Sequence, residues 1–168
     1  MCIVLENKPP YEIAIANKQI HVDDGLAFRV IVDVCRCFGK NYKAIQRCYF
    51  HIGHDYQLWC PPLAIMICGK PQAVAKDWVN VLSEDWSRIT ETSEDSSRVE
   101  GALPPHFRRP RITFAKFKDV SGVTAYRFVG VFQLEYIQKK ENSGTLYNKT
   151  YYRMQDYIDL SPWMGNVN

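Results

Sequence analysis

The chain has 168 residues, of which 46% are hydrophobic and 23% charged, with a net charge of +3. These values fit one globular domain spanning residues 1–168 and exclude a disordered or low-complexity chain. So small a charge does not by itself demand a polyanionic partner, though it allows a local basic face.

No apolar run approaches the roughly 20 residues that cross a bilayer, and the start, MCIVLENKPP, lacks the pattern of a secretory signal. A cytoplasmic, non-membrane protein is expected, and six cysteines (Cys2, Cys35, Cys37, Cys48, Cys60 and Cys68) that stay reduced. Pro9 and Pro10 end a leader, and Tyr11, Ile13 and Ile15 alternate as in a strand. Asp23 or Asp24 caps a helix with the stripe Ala27, Val30, Ile31, Val34 and Phe38, stopped by Gly39. Tyr56 to Trp59 reads as a strand ended by Pro61 and Pro62. A second helix is expected from Pro71, with Val74, Trp78, Val81 and Leu82 on one face.

Residues 93–110 are the least structured by composition and read as a long surface loop. The pattern then turns to β: Ile112 and Phe114 alternate, and DVSGV makes a turn. A long strand follows, with Tyr126, Phe128, Phe132, Leu134 and Tyr136 on one face and Val129 and Val131 on the other. Gly130 interrupts it where a bulge or bend fits, and a turn at Asn142 to Gly144 leads into a strand from Leu146 to Met154. The expected fold is α+β, a strongly curved sheet or β-barrel with flanking helices and a core over about 11–158.

Cys48, His51, His54 and Cys60 lie close together, but their spacing matches no structural zinc motif, so neither metal nor other cofactor is expected. The acidic residues Glu84, Asp85, Glu94 and Asp95 fall in turns or polar loop, not in the strand-borne carboxylate cluster of a metal-dependent nuclease. No G-x-S-x-G, phosphate-binding glycine loop or H-E-x-x-H is present, so the chain reads as a non-enzyme. Cys-His chemistry stays open, because its partners meet in space.

The densest functional signal is the mixture of aromatic, amide and basic residues after Gly39. Amides and carboxylates read base edges, flat rings stack on bases, and cations neutralise phosphates. Asn41, Tyr42, Gln46, Tyr56 and Trp59 form a candidate base-binding set, with Glu91 able to accept from the exocyclic amine of cytosine. Lys43, Arg47, Arg108, Arg109, Arg111, Lys116, Lys118 and the Lys139-Lys140 pair are candidate phosphate contacts. Taken singly, Trp59 reads as core, Glu91 as a surface carboxylate and Tyr42 as helix packing, while lysines on a hairpin edge also guard against aggregation.

The order FRVIVDVCRCFGKNYKAIQR, YQLWCP, SRITE, RITFAKFKD and YRFVGVFQLEY resembles the SRA-like domain of Pvu-Rts-type modification-dependent restriction endonucleases, from Ala27 to Met154. Those enzymes cut DNA containing 5-hydroxymethylcytosine or its glucosylated form. The resemblance implies a PUA-like bent barrel, a double-stranded DNA partner and a pocket for a flipped base. It carries Asn41, Tyr42 and Gln46 to the pocket or its rim, Trp59 to a stacking wall, Glu91 to an edge reader, and Lys43 and Arg47 to phosphates. Two departures stand out. About 25 residues precede the resemblance, too few for the family's nuclease domain, which suggests a reader alone or one with a separate nuclease chain. Cys48-Tyr49 after QR replaces smaller residues, which alters the expected pocket size. An RNA-binding PUA-like module and a small nucleobase enzyme are the alternatives, and exposed edges with the Trp163-Met164 tail permit a homodimer.

Overall fold

The computed structural model describes residues 7–72, 78–93, 105–139 and 147–165. The first segment forms helix α1 (Pro10–Asn17), not the expected strand. Pro10 presets the helical φ at the first position, and Tyr11 and Ala14, three apart, turn to the core while Ile13 and Ile15 stay exposed. Strand β1 (Gln19–His21) pairs with a strand from the other end of the chain.

Helix α2 (Ile31–Arg36) is shorter than its apolar stripe suggested. Phe28 exchanges two backbone hydrogen bonds with Tyr126 of the sheet, which holds the preceding residues extended. The stop falls where the sequence put it. Gly39 takes φ +69°, and the N–H groups of Gly39 and Lys40 donate to Arg36 and Cys35.

Strands β2 (Tyr49–Gly53) and β3 (Tyr56–Trp59) form a hairpin whose two loop residues, His54 and Asp55, both have positive φ. Strands β4 (Ile65–Ile67) and β5 (Lys70–Gln72) make a small separate ribbon. The segment expected to be the second helix instead enters strand β6 (Trp78–Leu82), which pairs with β7 (Arg88–Ser93). A run as short as WVNVL carries no decisive period, and the neighbouring strand decides it by satisfying its backbone. Strands β8 (Arg111–Lys118), β9 (Thr124–Lys139) and β10 (Tyr147–Gln155) fall where the sequence placed them, and β11 (Tyr157–Asp159) closes against β1. The expected turn at Asn142 to Gly144 and most of the 93–110 loop lie outside the described residues. The end of that loop forms a short 3-10 helix, Pro105–Arg108.

The main sheet has seven strands in the order β2-β3-β8-β9-β10-β7-β6, antiparallel except for β3 beside β8. One face packs Leu58, Ile112, Phe114, Phe128 and Val131 against Val34, Cys35 and Phe38. The other buries a second cluster of Trp59, Ile89, Ala115, Val129, Phe132 and Tyr151. The architecture is the expected α+β curved sheet with flanking helices.

The facing of β9 differs from simple alternation. Tyr126, Phe128 and Val131 share the first cluster, whereas Val129, Phe132 and Leu134 share the second. The switch occurs at Gly130, which has φ +131° beside a register shift in the β8–β9 ladder. A bulge residue adds one step to a period-2 strand, so every later side chain changes face. Phe132 and Leu134 are thereby moved away from Tyr126 and Phe128.

Candidate functional site

The second face holds an unusual concentration of buried polar atoms. Strand alternation sets Trp78, Asn80 and Leu82 on one side of β6, Ile89, Glu91 and Ser93 on one side of β7, and Lys149 and Tyr151 on one side of β10. The registers Lys149↔Glu91 and Asn80↔Glu91 align three of these across neighbouring strands.

Glu91 and Lys149 form an ion pair, Oε1 to Nζ 3.6 Å, with side chains only 12% and 5% exposed. The Tyr151 hydroxyl donates to the same Glu91 oxygen at 3.4 Å. Lys149 Nζ also lies 4.6 Å from the Phe107 ring centroid and 5.1 Å from that of Trp78. Burial lowers the Lys149 pKa, with the Glu91 charge opposing, and pushes the Tyr151 phenol well up, with Arg111 opposing. Tyr49 is raised for the same reason, again against Arg111.

Arg111 begins β8 and is 2% exposed. Its guanidinium carbon lies 4.4 Å from the ring centroids of Tyr49 and Tyr151, 4.8 Å from Trp59 and 5.2 Å from Phe107. Desolvated cation–π contacts contribute about 2 kcal/mol or more, but they leave in-plane N–H groups unbonded. Arg111 Nε and Nη2 have no hydrogen-bond partner, and neither does the buried Asn80 Oδ1. Each such atom costs about 1–3 kcal/mol. Among the described residues, these three are the buried side-chain nitrogen and oxygen atoms so left. The walls are graded: Trp59 and Tyr151 are fully buried, while Tyr49, Trp78 and Phe107 are half-buried. A polar centre with donors and acceptors to spare, lined by flat rings that reach the surface, suits a flat, hydrogen-bonding ligand.

Of the candidate base-binding residues, the structure brings Trp59 and Glu91 into this cluster. Tyr56 goes elsewhere. It lies three positions from Trp59 on β3, hence on the other face, and packs on Trp163 at 5.7 Å. Asn41, Tyr42 and Gln46 are exposed in the segment after α2, where Tyr42 meets Phe50 edge-on. Arg111, expected among the phosphate contacts, is a buried member of the cluster because odd positions of β8 face inward there. Lys43, Arg47, Arg108, Lys116 and Lys118 are exposed and Arg109 is half-buried. Lys43 and Lys116 line one groove of about 610 Å³ with Arg29 and Arg36, and Lys116 and Lys118 line a second of about 640 Å³. Lys140 lies outside the described residues. Cys60 is buried and His51 and His54 are exposed; among the described residues no three His, Cys, Asp or Glu are grouped to hold a metal.

Sequence reading missed Tyr49, Trp78, Asn80, Phe107, Lys149 and Tyr151. Lys149 and Tyr151 carried a usable signal, since a strand puts i and i+2 on one face. Asn80 and Trp78 were hidden by the mistaken helix, and the meeting of Arg111 with Tyr49 is set only by the sheet.

The model of the SET and RING associated domain family matches residues 14–159. Among solved structures, the chain is similar to the 5-hydroxymethylcytosine-specific restriction enzyme AbaSI, with a TM-score of 0.66 and 25% identity. That match covers 92% of this chain and 46% of the other, so this chain spans about half the length of that enzyme's. No curated protein matches.

Proposed function

The chain belongs to the SET and RING associated domain family, and on that premise we propose that it recognises a modified cytosine in double-stranded DNA. The modification is 5-hydroxymethylcytosine, the specificity named for AbaSI, or its glucosylated form. The base is flipped from the duplex and held at the Glu91, Lys149 and Arg111 cluster. One observation carries this reading: buried polar groups, three atoms of them unsatisfied, ringed by aromatic side chains in a domain of this family.

Extruding a base costs a few kcal/mol, which the pocket recovers through stacking and edge hydrogen bonds. Glu91, paired with Lys149, accepts from the exocyclic amine. Tyr49, Trp78 and Phe107 are the rings available to stack, and Trp59 backs the Arg111 guanidinium. Asn41, Tyr42 and Gln46 lie in the exposed segment that also carries Lys43 and Arg47, where Tyr42 and Ile45 pack on the sheet face opposite Glu91. Lys43, Lys116 and Lys118 follow the phosphates along the two grooves. The role proposed for these residues is reading the base.

The test is a binding comparison across otherwise identical duplexes carrying cytosine, methylcytosine, hydroxymethylcytosine or glucosylated hydroxymethylcytosine. Tighter binding to one of the last two is expected, and Glu91→Gln should reduce that preference while leaving weak, salt-sensitive binding. Equal affinity for all four duplexes would sink the proposal. Tighter binding to matched RNA would point to an RNA module, and a new product in mass spectrometry, lost in Glu91→Gln, to an enzyme.

A further inference from the structure

Arg111 offers a more specific reading of the pocket, one that rests on the function proposed above. Its unsatisfied atoms are Nε and Nη2. These two nitrogens share one edge of the planar guanidinium and present parallel N–H donors, the side-on fork that takes two adjacent acceptors at once. Trp59 and Phe107 supply ring faces to this cation but no lone pair in its plane. No protein acceptor meets this edge of the guanidinium, which leaves the fork to be matched by a ligand. On the same sheet face the complementary groups are acceptors: the Glu91 carboxylate and Asn80 Oδ1, cross-strand neighbours.

Two donors on one side and two acceptors on the other match one edge among the pyrimidines. Cytosine presents two adjacent acceptors, N3 and O2, next to the N4 amine, a donor. Thymine and uracil present an N–H at position 3 and a carbonyl at position 4, which sets donor against donor and acceptor against acceptor. We infer that Arg111 is a specificity-determining residue of this pocket. Its Nε–H and Nη2–H donate to N3 and O2 of the held base, while Glu91 and Asn80 Oδ1 accept from the amine. Arg111 therefore fixes cytosine as the ring that is read, independently of the substituent at position 5. Burial among Tyr49, Trp59, Phe107 and Tyr151 keeps water from competing for the fork.

The experiment uses the full chain and fluorescence anisotropy with one duplex sequence. The central base is 5-hydroxymethylcytosine, 5-hydroxymethyluracil, or the 3-deaza analogue of 5-hydroxymethylcytosine, in which a C–H replaces the N3 acceptor. A lost bidentate base contact corresponds to about 5- to 150-fold in affinity, and the wild-type chain should bind both altered bases more weakly by a factor in that range. Arg111→Met should bind the hydroxymethylcytosine and 3-deaza duplexes alike, within about threefold, while Glu91 keeps it selective against the uracil duplex, with circular dichroism confirming the fold. Wild-type binding that is indifferent to the 3-deaza change overturns the role of Arg111. Because that arm needs no variant, a misfolded Arg111→Met does not rescue the idea. The two failures are separable. A chain that prefers hydroxymethylcytosine to cytosine yet ignores N3 refutes only the Arg111 assignment, whereas no preference among modified and plain duplexes refutes the reader itself.

Discussion

Replacing Gly130 by alanine tests how one backbone position builds the site. Gly130 has φ +131°, a conformation that side-chain-bearing residues rarely adopt, and holding alanine there costs about 1–3 kcal/mol. Space is also lacking. An added Cβ would meet the Arg153 side chain, at 2.7 Å from Cγ, and the Gln155 carbonyl oxygen at 2.9 Å. The arginine can swing aside, but the carbonyl belongs to the paired strand β10 and cannot move without opening the ladder. Overpacking of this kind adds about 1–3 kcal/mol. The sum, about 2–6 kcal/mol, is a large part of the stability of a domain this size. At about 2–4 °C per kcal/mol, the melting temperature should fall by roughly 4–24 °C. Urea denaturation gives the free energy and thermal scans the midpoint. A loss below about 0.5 kcal/mol would show that the bulge neither requires glycine nor fixes the facing of Phe132 and Leu134.

Four further outcomes are expected. Lys149→Met leaves the buried Glu91 side chain without its ion-pair partner and should cost about 3–5 kcal/mol in urea denaturation; adding Glu91→Gln should recover part of that, and a double variant no more stable than the single would contradict the ion pair. Trp163→Ala removes the indole N–H donated to the Ile52 carbonyl at 2.8 Å and the edge contact with Phe38, and should lower stability by about 3 kcal/mol, an unchanged midpoint counting against this anchor. Burial holds the Cys35 and Cys37 thiols at about 11 and 12, above the ordinary 9.0, so their contribution is intact below pH 9 and is lost as pH rises through those values; Tyr49, Tyr126 and Tyr151 act in the same direction above 10. Cys35→Ala with Cys37→Ala should flatten that alkaline loss in denaturation series, and an equal slope would refute it. Lys43→Ala and Lys116→Ala should each weaken DNA binding regardless of the central base and reduce the slope of log affinity against log salt by nearly one, measured as a salt titration.

Several elements were legible in the sequence because their signals are local. Gly39 ends α2 since only a left-handed residue closes that turn, and Pro61 and Pro62 follow the end of β3 because proline offers no ladder N–H. Strands β8 and β9 announced themselves by alternating apolar residues, Ile112 and Phe114 in the first and Tyr126 and Phe128 in the second. The errors fell on short segments. Tyr11, Ile13 and Ile15 fit a strand until Pro10 is weighed as a helix start, and Trp78 to Leu82 fit a helix until β7 is present to pair with it. The candidate site divides in the same way. Trp59 and Glu91 were chosen for their chemistry, and that chemistry is what the fold gathers.

By itself the sequence determined the class of the domain, the family pattern running through most of the chain, and two residues of its polar cluster. These depend on residue types and on near-neighbour spacing, which the chain displays directly. Only the tertiary structure decided which distant residues meet. The parallel register of β3 with β8 sets Gln57 beside Arg111 and Trp59 beside Thr113, and the curvature of the sheet brings Tyr49, Tyr151 and Phe107 around the same guanidinium. A basic residue that looks like any surface arginine in the sequence thus ends up buried, ringed and short of acceptors. Its surroundings come from strands up to 62 positions before it in the chain and 40 after it, and no local spacing encodes that meeting.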